Sequence, residues 1–177
     1  MVRELRIVPE CYADTNLINV LVDKSCNHQK GCSTVCNTLD KKLKDEFAIA
    51  VIDKDKRKPH SLDKFKLVAE TEHFDVMKHT RCHQFIILIK PAIESFILFA
   101  ANELNIQLCS VDSKLSNDIE SLKMITKNED AKESVLLRNL YKKLLAASNF
   151  KLLKQVLDYL LDKTYSASEK DIVEILI

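Results

Sequence analysis

Phe47-Ala-Ile-Ala-Val-Ile-Asp-Lys-Asp-Lys-Arg-Lys58 is the stretch that decides how the rest of the chain is read. Its first six residues are apolar without a break, and its last six are all charged. An uninterrupted run rich in Ile and Val predicts a strand buried on both faces, as in a parallel sheet covered by helices. In open α/β sheets the functional crevice lies outside the carboxyl ends of the strands. Asp53 and Asp55 stand at that end, one residue apart, where a bend after the strand turns both carboxylates toward a common hard cation.

Working outward, Leu5-Arg-Ile-Val-Pro-Glu10 reads as a short strand ended by Pro9. Asp14 then occupies a helix N-cap position ahead of Leu17, Ile18, Leu21 and Val22 on one helical face. A polar stretch with a short second strand follows. Ser33 caps the next helix, in which Val35, Leu39 and Leu43 recur at i, i+4 and i+8. Strand, helix, helix, strand in this order is a crossover unit that brings Glu10 and Asp53 to the same edge of the sheet. Beyond Pro59, residues 62–69 suit either a short helix or a strand. Residues 74–79 and 83–89 read as two strands joined by a tight Thr80-Arg81-Cys82 connection. Pro91 opens a long apolar helix at its first helical position. After Val111 the pattern becomes helical throughout, with helices expected over 113–127, 131–146, 149–163 and 168–175.

Composition narrows the function. With 177 residues, 46% of them hydrophobic and 30% charged, the chain can bury a substantial core. A net charge of +1 gives no global drive toward nucleic acid or membranes, so any such preference rests on local patches. The single glycine, Gly31, excludes both the dinucleotide-binding GxGxxG and the phosphate-cradling P-loop. The apolar stretch 85–101 is interrupted by Lys90, Pro91 and Glu94, which argues against a membrane span. Six cysteines without a recognisable secretory leader point to reduced thiols and a cytoplasmic location.

Glu10 with Asp53 and Asp55 supplies hard oxygen ligands for Mg²⁺, with Mn²⁺ as an alternative, and such a site suits phosphodiester chemistry. Lys54, Lys56 and Arg57, in a run continued by Lys58, are candidates to position phosphate beside it. Glu10-Cys-Tyr-Ala-Asp14 after a strand, followed by an apolar strand ending in Asp53-Lys-Asp55, resembles the Toprim domain of topoisomerases, bacterial primases and the OLD-type nucleases of phage defence. The resemblance covers roughly residues 5–100. It implies a Toprim-like α/β core over 1–111, with a mainly parallel sheet, and leaves 112–177 as a helical extension. It implies Glu10, Asp53 and Asp55 as catalytic metal-site residues. Pro91-Ala-Ile-Glu94-Ser-Phe is similar to a segment of some OLD-type members, which makes Glu94 a further metal ligand. Nucleic acid, DNA ahead of RNA, is the partner implied.

Cys11 departs from the family pattern, which has glycine there. This departure motivates the alternative, a non-catalytic Toprim-like module working with a larger protein. The leucine-rich extension then offers a surface for that partner or for a second copy of the chain. A third reading places zinc on Cys26, His28, Cys32 and Cys36, although their spacing matches structural zinc templates poorly.

Overall fold

Ala48, Ile49, Ala50 and Val51 have no exposed surface and Ile52 has 1%, so the central strand is buried on both faces as expected. A computed structural model describes residues 3–54 and 60–177, Ser61 by its backbone alone. The chain begins with β1 (Arg3–Glu4), β2 (Ile7–Pro9), α1 (Tyr12–Val22), β3 (Ser25–Cys26), α2 (Cys32–Asn37) and β4 (Ala48–Asp53). Next come β5 (Phe65–Glu70), β6 (Phe74–His79), β7 (Gln84–Ile89) and α3 (Ile93–Glu103). The helices α4 (Ile119–Thr126), α5 (Val135–Leu144), α6 (Ser148–Lys163) and α7 (Glu169–Leu176) complete it.

β2 and β4 are parallel neighbours, with Pro9 opposite Val51, and the Glu10 amide donates to the Val51 carbonyl at 2.9 Å. The expected crossover unit therefore forms, and Glu10 and Asp53 share an edge. The five-stranded sheet has the order β2-β4-β7-β6-β5. Only its first three strands are joined by parallel pairing. β6 runs antiparallel to both β7 and β5, and a separate two-stranded parallel sheet joins β1 to β3. The expected mainly parallel sheet is thus a mixed one. Its physical reason lies in the connections: residues 71–73 and 80–83 are too short for a crossover and can only join antiparallel strands. Residues 65–70, open between helix and strand in the sequence, form the edge strand β5.

Alternation along the strands feeds two cores. Ile7, Ile49, Val51, Phe85 and Ile87 pack toward α1 and α3, while Val8, Ala50, Ile52, Ile86 and Leu88 pack toward α2. The first core continues without interruption into the extension, through Leu137, Leu140, Phe150, Leu153, Val156, Leu157 and Leu160. These leucine faces are buried against the sheet side of the molecule and are not presented as an outer surface. Polar bolts fix the same junction. Asn16 Nδ2 donates to the carbonyls of Ala131 and Ser134 at 2.8 and 3.0 Å, and Asn149 Nδ2 donates to the Phe96 carbonyl at 2.9 Å.

Helix starts differ locally from expectation. The N-cap of α1 is Cys11, and that of α2 is Gly31 at φ 88°, a conformation that favours glycine. Lys90–Pro91 is a cis peptide, and α3 begins after Ala92. The 113–127 helix is confined to α4. Among the described residues no helix is long and apolar enough to cross a membrane.

A shared core predicts shared unfolding. Leu153→Ala should cost about 2–5 kcal/mol and lower a single denaturation transition in which sheet and extension melt together. Two separated transitions, only the later one unaffected by the substitution, would contradict this.

Candidate functional site

The carboxyl ends of β2 and β4 meet the start of α3 at a cavity of about 270 Å³. Asp53, the last residue of β4, lies on the same sheet face as Ile49 and Val51, and opposite Ile89 in register. The Ile93 amide at the start of α3 favours its ionised form, while its Oδ1 is buried without a hydrogen-bond partner. Glu10 lines the cavity from the end of β2, and Glu94 from the first turn of α3. Glu94 is 4% exposed, and its Oε1 accepts from the Thr126 hydroxyl at 2.5 Å.

A fourth carboxylate stands behind them. Cys11 Sγ accepts from the Asp14 amide at 3.2 Å and thereby takes the capping role expected of Asp14. The Asp14 side chain is instead fully buried, and neither oxygen has a hydrogen-bond partner. Burial, and then the charges of Asp14, Glu94 and Glu10, push the Asp53 carboxyl up to about 9, against the pull of the Ile93 amide. Burial also raises Asp14, with Glu10 and Glu94 adding to the effect and Cys11 opposing it. The Cys11 thiol is raised by burial and by Asp14, so it is a poor nucleophile. Mutual repulsion among carboxylates taken out of water is the electrostatic character of this site.

The expected residues are only partly brought together. Glu10, Asp53 and Glu94 line one cavity. Lys54 does not join them: its Nζ lies 2.7 Å from Asp75 Oδ2, in an ion pair on the other face of the sheet. Asp55, Lys56 and Arg57 lie outside the described residues. The zinc reading fails on geometry, because Cys26 belongs to one core and Cys36 to the other, across the sheet. His28 is stacked on Tyr12, and its Nδ1 is 2.8 Å from the Thr15 hydroxyl.

Among the described residues no three Asp, Glu, Cys or His side chains already converge as a metal-holding group. The donor chemistry nevertheless suits a hard divalent cation. Glu10, Asp53 and Glu94 offer carboxylate oxygens to the cavity, and Asp14 and Asp53 carry buried oxygens without hydrogen-bond partners.

Residues not singled out in the sequence complete the walls. Lys30 enters from the loop before α2, and Lys123, Thr126 and Lys127 enter from α4 and its C-cap. Asp14 was legible as an acid four residues after Glu10, but no local pattern links Thr126 to Glu94. A larger groove of about 830 Å³ lies at the opposite, amino-terminal end of β7, lined by Lys41, Lys44, Lys64 and Arg81. Its two carboxylates are Asp40, held by Lys64 at 2.9 Å, and Asp45, set among those basic side chains. Comparison with family models, with curated proteins and with solved structures finds no match.

A raised carboxyl makes stability depend on pH in a defined direction. The unfolded chain loses the Asp53 proton near its ordinary value, whereas the folded protein holds it until about pH 9. Folded protein therefore binds more protons over that interval, and stability falls as pH rises. Without divalent cations, wild-type stability should drop by on the order of 2 kcal/mol between pH 7 and pH 9. Asp53→Asn should remove most of that drop in urea titrations. Equal pH profiles for the two proteins would refute the assignment.

Proposed function

We propose that this protein is a Toprim-like, OLD-like nuclease that cleaves nucleic-acid phosphodiester bonds with Mg²⁺ or Mn²⁺, acting on DNA ahead of RNA. One observation carries the reading: Glu10, Asp53 and Glu94 line a single cavity at the carboxyl ends of parallel strands, with Asp14 buried behind them. Glu10, Asp53 and Asp55 are assigned to hold the metal, with Glu94 as a further ligand. A cation bound there supplies charge neutralisation to the phosphate and acidifies a water nucleophile.

The chain's own groups define what must happen first. Burial first, and then the acidic groups around it, keep the proton on Asp53 at neutral pH, so it becomes a metal ligand only by releasing that proton. The Ile93 amide at the start of α3 favours the ionised form of Asp53 and so assists that release. The sheet order supports the reading in its parallel half, β2-β4-β7, which is where the acidic residues of a Toprim domain are expected. A role in phage defence follows from the resemblance, and the cytoplasmic setting from the cysteine content of the sequence.

A second reading, a non-catalytic Toprim-like module that binds through a larger partner, is favoured by two specific features. Cys11 occupies the position where the family has glycine, and Thr126 already engages Glu94.

The nuclease reading predicts cleavage of single- or double-stranded DNA that requires Mg²⁺ or Mn²⁺. Asp53→Ala and Asp55→Ala proteins that remain folded should cleave at background. A wild type that cleaves neither DNA nor RNA with either metal would leave the binding-module reading. Calorimetry in buffers of different ionisation enthalpy should also register proton release on Mg²⁺ binding, with affinity rising from pH 7 to pH 9. Affinity independent of pH would remove Asp53 from the ligand set.

A further inference from the structure

A phosphodiester is an anion, and a cavity walled by the acidic side chains of Glu10, Asp53 and Glu94 holds one only with cations beside it. The Lys54–Asp75 pair turns the nearest expected counter-charge to the other face of the sheet. The helical extension supplies cations where the cavity needs them. Lys123, Thr126 and Lys127 fall at i, i+3 and i+4, which puts all three on one side of α4, and all three line the cavity. α4 is firmly seated. Leu122 has no exposed surface, Thr126 has 1%, and the Asp118 side chain caps the helix by accepting from the Ser121 amide at 2.8 Å. On the same helix Met124 is 75% exposed, so the orientation of the lysine side is set by packing.

We propose that Lys123 and Lys127 grip the phosphates of a nucleic-acid strand over the acidic cavity, while Thr126 between them keeps Glu94 turned into it. This rests on the nuclease reading for the identity of the ligand. The two lysines are one helical turn apart, on the order of 6 Å along the axis, so they can engage more than one phosphate oxygen. Lys123 is at present 2.7 Å from Glu120, in a pair with a largely exposed partner. Such surface pairs contribute little to stability, so exchanging Glu120 for a phosphate is cheap. The extension is then part of the substrate site, and Thr126 is a positioning residue acting through Glu94.

The test uses a fluorescein-labelled single-stranded DNA oligonucleotide and fluorescence anisotropy, in full-length Asp53→Asn protein with Mg²⁺ to prevent turnover. Adding Lys123→Gln and Lys127→Gln should weaken binding roughly tenfold at low salt, and the slope of log affinity against log salt should shrink by about 1.4, or 0.7 per lost contact. Lys41→Gln with Lys44→Gln, in the groove at the other end of the sheet, should change neither. Loss of affinity in the Lys41/Lys44 protein with none in the Lys123/Lys127 protein would overturn the proposal, as would an oligonucleotide that the parent does not bind. Thermal melts of each variant separate lost contacts from lost fold. For Thr126, Thr126→Ser should preserve Mg²⁺ affinity by calorimetry and Thr126→Val should reduce it; equal affinities would remove its positioning role.

The two levels fail separately. Wild-type cleavage that survives in Lys123→Gln/Lys127→Gln with unchanged KM leaves the nuclease standing and this site refuted. Lysine-dependent binding with no wild-type cleavage refutes the nuclease and leaves the site.

Discussion

Among the described residues, Asp53 and Asp14 are carboxylates removed from water with no ion pair to a basic side chain. Most buried acids are neutralised by a neighbouring Lys or Arg, as Asp75 is here by Lys54 and Lys90, each at 2.7 Å. The acids at the end of β4 face further acids, and their protons are retained by burial and repulsion. Ionising such a cluster is costly unless a counter-charge arrives. The fold tolerates it because the surrounding scaffold is over-determined: β4 is paired on both edges and packed on both faces.

That scaffold also explains why the cavity needs the whole chain. The sheet brings Glu10 and Asp53 together, α3 adds Glu94, and α4 closes the far wall through Thr126. The extension is held to α1 by Asn16 and to α3 by Asn149, two buried amides whose hydrogen bonds reach across more than fifty residues of sequence. Breaking either leaves buried carbonyl groups unpaired, a larger penalty than the bond alone contributes. Position in the cavity and stability of the fold therefore rest on the same contacts.

Much of this was legible in the sequence. The unbroken apolar run gave β4, and the crossover pattern gave the neighbourhood of Glu10 and Asp53, because strand burial and connection length are local properties. Glu94 was visible only through a family resemblance. Asp14 was legible as an acid but read as a cap, a role that Cys11 fills through its sulfur. The mixed character of the sheet was understated because residues 65–70 alternate weakly; in β5 Phe65 is buried while Lys66 and Leu67 are exposed. Lys123 and Thr126 carried no signal at all, since their relation to Glu94 is a tertiary contact across some thirty residues.

The most direct test of the acidic cavity is crystallographic. Crystals grown or soaked with Mn²⁺ and measured at the manganese absorption edge should give an anomalous peak bounded by Glu10 and Asp53, with carboxylate oxygens about 2.1–2.2 Å away, close to the Mg²⁺–oxygen distance. A cavity without anomalous density at millimolar Mn²⁺, with Asp53 Oδ1 still lacking any partner, would contradict the metal-site reading.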